Sequence, residues 1–72
     1  MIPFSEQLSV YLERSGMTEA DLAGAIGVRP QTVARWRSGA VRRPRSRNSV
    51  LLAAESLGLG VSERDELLVA AG

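Results

Sequence analysis

Apolar residues recur along this chain at helical spacing, in short blocks divided by glycine. In the first block, from about Ser5 to Ser15, Phe4, Leu8, Tyr11 and Leu12 follow i, i+4, i+7, i+8, the stripe of one buried helix face. Ser5 is placed to cap this helix and Gly16 to stop it. The second starts at Thr18, whose hydroxyl can cap it, with Asp21 three residues on as the reciprocal partner. Leu22, Ala23 and Ile26 face inward, and Gly27 ends it. The third opens on Pro30, whose ring presets φ for a first helical residue, and runs to about Ser38, ahead of Gly39. The fourth spans Ser46 to Leu57, with Val50, Ala53, Ala54 and Leu57 on one face and Gly58 and Gly60 behind it. The fifth opens at Ser62 with Asp65 at its capping-box position, carries Leu67, Leu68 and Ala71, and runs into Gly72. No stretch sustains a period of two, so the pattern predicts five short helices and no strand. The expected fold is all-α, a compact five-helix bundle forming one domain over residues 1–72. Val33, Trp36, Leu22, Ala23, Val50, Ala54 and Leu57 are expected to share its core.

A chain of 72 residues buries only about 60% of its unfolded surface, so this core is modest. Cysteine and histidine are both missing, which excludes thiolate or imidazole metal sites and any Ser-His or Cys-His catalytic pair. Neither a metal, a cofactor, a small-molecule ligand nor an enzymatic activity is expected. No apolar run nears the ~20 residues that cross a bilayer, and the first residues lack a signal-peptide pattern. The expectation is a cytoplasmic, nucleoid-associated chain with no membrane partner.

The net charge of +1 hides a strong segregation. Between Leu22 and Ala54 there are seven arginines and no acid, a local charge of +7. The other residues hold two arginines and all eight acids, −6. A basic middle between acidic ends is the footprint of a polyanion partner. A merely solvated arginine loop is the plainer alternative for Arg42 to Arg47. Glu63, Asp65 and Glu66 are ordinary dipole partners at the start of a helix rather than a carboxylate site.

The basic middle coincides with a motif. Thr18 to Gly39 reads as two short helices joined by about three residues with glycine in the turn, the helix-turn-helix layout. On a wheel of 3.6 residues per turn, Val33 and Trp36 of the second helix point together toward the core. Trp36 is therefore read as core rather than as a stacking platform. Gln31, Ala34, Arg35 and Ser38 fall on the opposite side, a polar face without an acid.

Met17-Thr18, Leu22-Ala23, Ile26-Gly27-Val28, Thr32-Val33, Arg35-Trp36, Gly39, Pro44 and Leu57-Gly58-Leu59 together resemble the Cro/lambda-repressor-type helix-turn-helix family, also called the XRE family. The resemblance covers essentially the whole chain, and the final Glu66 to Gly72 resembles a fifth helix found in many such regulators. It implies a recognition helix from Pro30 to Arg37 that enters the major groove of double-stranded DNA. Gln31 and Arg35 match the base-reading positions, with Arg29 and Thr32 at the groove edge. Ser38, Arg37, Arg42, Arg43 and Arg45 match the phosphate-contacting region. The implied function is a bacterial transcriptional regulator, usually a repressor; the alternative is a helix-turn-helix domain turned to protein–protein interaction.

Three positions depart from the family pattern. Glu19 stands where a phosphate-touching glutamine is common, and Arg29 where a serine or threonine usually caps the recognition helix. Leu12 and Arg37 replace both ends of a common ion pair, which frees Arg37 to join the basic surface or to pair with Glu13. One recognition helix reads too few base pairs for a genomic address. A homodimer on a near-palindromic site is therefore expected, with Leu68 and Val69 of the last helix as its contact.

Overall fold

The computed structural model describes residues 2–72. It contains, among the described residues, five helices and no strand: α1 (Phe4–Ser15), α2 (Glu19–Ile26), α3 (Pro30–Ser38), α4 (Arg47–Ser56) and α5 (Val61–Ala71). None of them is long and apolar enough to cross a membrane.

Two helix starts, those of α2 and α3, follow the chemistry read from the sequence, and α4 adds a side-chain cap. At α2 the Thr18 hydroxyl accepts the Asp21 backbone N–H at 3.0 Å, while the Asp21 carboxylate accepts the Thr18 N–H at 3.0 Å. At α4 the Ser46 hydroxyl accepts the Ser49 N–H at 3.2 Å. At α3, Pro30 takes the first position and Arg29 caps with backbone alone. Two starts differ from expectation. Pro3, not Ser5, occupies the cap of α1, with φ −59° fixed by its ring, so the helix begins one residue before Ser5. The buried Gln7 closes that end by donating its side-chain N–H to the Ile2 carbonyl at 2.8 Å. Gly60 caps α5 in an extended conformation, so Ser62 lies inside the first turn and makes no cap bond. Asp65 there faces Arg64 at 3.2 Å instead.

All the expected core residues lie in one buried cluster, together with Phe4, Leu8, Tyr11, Leu12, Ile26, Ala53, Leu67, Leu68 and Ala71. Trp36 is sealed inside it, its ring edge-on to Phe4 with centroids 5.9 Å apart. Leu68 corrects the sequence reading. It is buried at 8% exposure, whereas Val69 beside it is 62% exposed. α5 packs on both α1 and α4, so its inward arc is wide enough to take Leu67, Leu68 and Ala71 together. The α2–α3 connection turns at Gly27, whose φ of +76° a side chain would strain. The Val28 N–H then bonds the Ala23 carbonyl at 3.0 Å and leads the chain into α3.

A clamp joins the first helix to the last. Arg14 donates to both Glu63 carboxylate oxygens, at 2.6 and 2.7 Å, while its guanidinium lies 4.9 Å from the Tyr11 ring centre. The Arg14 hydrogen bonds hold the Glu63 carboxyl below its ordinary range. Burial, reinforced by the nearby Glu63 and Glu66 charges, pushes the Tyr11 hydroxyl up.

Candidate nucleic-acid interface

α3 is anchored by Val33 and Trp36 and carries Gln31, Arg35 and Ser38 exposed on the opposite side. Arg29 is exposed just ahead of the helix, and Thr32 is half-buried on its flank. The face is polar because these residues fall at helical spacing away from the two anchors.

The two flanks of α3 differ. Toward α4, Thr32, Arg35, Arg45, Ser46 and Ser49 line an open groove of about 470 Å³, whose apolar wall includes Val28, Trp36 and Val41. Two guanidinium groups and three hydroxyls converge there, and no lining residue is acidic. Ser46 and Ser49 were not singled out as site residues from sequence, although the cap at Ser46 already places Ser49 on the same helical turn. The other flank is acidic. Arg37 donates its Nε–H to the Ser9 hydroxyl of α1 at 3.3 Å. Its terminal nitrogens lie 3.8 Å from Glu13 and 3.9 Å from Glu19. Of the two courses the sequence left open to Arg37, the structure displays the approach to Glu13 and adds Glu19.

The remaining candidates do not converge on one spot. Arg42 borders a hollow with Pro3, Phe4, Ser5, Gly39 and Ala70. The Arg43 stem lies against Gly72, close enough that a Cβ there would stand 3.1 Å from its Cδ. The Ser38 hydroxyl closes the end of α3, donating to the Arg35 carbonyl at 3.1 Å and accepting the Ala40 N–H at 3.3 Å. Among the described residues, Arg29, Arg35, Arg42, Arg43, Arg45 and Arg47 have no carboxylate within 4.0 Å. The surface is equipped to hold an extended anion by charge and bidentate hydrogen bonds.

A sequence model of the helix-turn-helix family matches residues 8–63, well over half of the chain. The matched span runs from the second turn of α1 through α2, α3 and α4 into the start of α5. No curated protein and no solved structure matches the chain.

Proposed function

The chain belongs to the Cro/lambda-repressor-type helix-turn-helix family, whose members are DNA-binding regulatory domains, and from that premise we propose a sequence-specific bacterial transcriptional repressor. The observation that carries the proposal is the exposed, acid-free outer face of α3, with Arg29 ahead of it and Arg45 on its α4 flank, neither within 4.0 Å of a described carboxylate. In the proposed complex α3 lies in the major groove and α2 crosses the backbone. Gln31 suits adenine and Arg35 suits guanine, each through a bidentate pair, with Arg29 and Thr32 reaching the groove edge. Ser38, Arg42, Arg43 and Arg45 meet phosphates and fix register without reading sequence. Arg37 stands on the flank nearest the acids.

Repression follows from occupancy. A homodimer on a near-palindromic site places two copies of α3 about 34 Å apart, one turn of DNA. The exposed Val69 is the large apolar side chain on the later turns of α5 left for a subunit contact. The protein works in the cytoplasm, on the nucleoid.

Selection from a random duplex pool tests the reading and should enrich one near-palindromic sequence. With about four to six phosphates neutralised per subunit, log affinity should fall with log salt at a slope near −4 to −5. Absence of enrichment together with salt-insensitive binding would remove the DNA-reading function.

A further inference from the structure

We infer that Glu13 and Glu19 hold Arg37 as their counter-ion, so that the two flanks of α3 grip the DNA backbone unequally and Glu19 limits affinity. The inference rests on the proposed docking of α3 in the major groove. That groove is about 12 Å wide and a helix with its side chains about 10–12 Å across, so phosphates run along both flanks at once.

Thr32 and Arg37 are five residues apart, about 140° around the helix, and so lie on opposite flanks. Beyond Thr32 stands Arg45, among lining residues that include no acid. Beyond Arg37 stand two carboxylates. Arg37, Glu13 and Glu19 sum to −1, and Glu6, which lines the same hollow as Glu13 and Arg37, adds a further negative charge on the side that faces a polyanion. Burial ranks Glu13 and Glu19. Glu13 has 76% of its side chain exposed, so water screens it. Glu19 and Arg37 are more enclosed, at 36% and 38%, which makes Glu19 the stronger holder. The Ser9 hydrogen bond fixes the guanidinium from a third side. Arg37 is thus a positioning residue. It screens the acidic start of α2 and ties α3 to α1 and α2. Neutralising Glu19 therefore releases more of the Arg37 charge to a phosphate than neutralising Glu13 does.

The test measures binding of the full chain to a fluorescent duplex of random sequence across a salt series, since phosphate contacts need no operator. Glu19→Gln should tighten binding roughly three- to tenfold and steepen the salt slope by about 0.9, the increment for one more neutralised phosphate. Adding Arg37→Gln should abolish that gain and return the slope to the wild-type value. Glu55→Gln controls for net charge. It lies on the last turn of α4, about 12 Å along the axis from the end bordering the groove, and should have a smaller effect. Circular dichroism checks that each variant is folded, and Glu13→Gln gives a second, weaker reading in the same direction. A Glu19→Gln gain no larger than that of Glu55→Gln, or one that survives Arg37→Gln, overturns the inference while leaving the proposed function standing. Wild-type protein that fails to bind any duplex overturns both.

Discussion

At the scale of single residues, place in the fold separates two kinds of arginine: Arg35 lies on α3 and Arg43 in the loop after it. Arg35 projects from α3 away from the paired anchors Val33 and Trp36, and the proposed docking sets it over the bases. Arg35→Ala should cost about 1–3 kcal/mol and relax preference at one base position, whereas Arg43→Ala should weaken binding to all sequences alike. Affinities on a panel of single-base operator variants measure both. Because the Arg43 stem packs against Gly72, that variant also loses some apolar contact, which a melting curve will register separately. The orientation of Gln31 and Arg35 was legible in the sequence because their own helix sets it: two inward anchors fix every other position on the wheel. The surroundings of Arg37 and Arg43 were less so. They depend on Ser9, Glu19 and Gly72, residues remote along the chain and brought near only by packing. Leu68 failed for a related reason. A wheel gives the direction of a side chain but not how much of that direction a neighbouring helix covers.

At the scale of elements, the helix ends add polar contacts to the packing of their apolar faces. The reciprocal Thr18–Asp21 box satisfies backbone donors that would otherwise face water alone, and Thr18→Ala should cost about 1 kcal/mol in urea unfolding at neutral pH. The Thr18 backbone and side-chain hydrogen bonds hold the Asp21 carboxyl below its usual range, as Arg14 does for Glu63. A carboxyl depressed in the folded state contributes stability above its unfolded pKa, about 4, and loses it as pH falls through the folded value. The same unfolding series should therefore show wild-type stability declining below about pH 4.5. Asp21→Asn and Glu63→Gln should flatten that decline. Stability that is level down to pH 2 would exclude both couplings. The cap of α2 was readable because Thr18 and Asp21 stand three residues apart at its boundary. The caps of α1 and α5 were each read two residues late, at Ser5 and Ser62. Pro3 and Gly60 set those boundaries through their backbones, and the serines beside them offered a competing signal.

At the scale of the molecule, sequence patterning gave the number and order of the helices, and burial brings the expected core residues into one cluster. Assembly is what patterning conveyed least, because a surface residue carries no mark of its partner. If Val69 lies at the subunit contact, Val69→Glu should leave the melting temperature of the free domain unchanged. On the selected site it should convert a two-subunit footprint into a one-subunit footprint, read by sedimentation with DNA. Two subunits persisting in that variant would place the contact elsewhere. The clamp between Arg14 and Glu63 also has a consequence for synthesis. Leu8 and Leu12 belong to the same core as Leu67 and Leu68, so α1 is completed by α5, made later. At about 5–20 residues per second, a ribosome takes roughly 2–10 seconds to pass from Ser15 to Val61. Through that interval the apolar stripe of α1 lacks its covering helix. A chain that has not yet added α5 already carries every arginine of its basic middle, without the finished core that holds them in register.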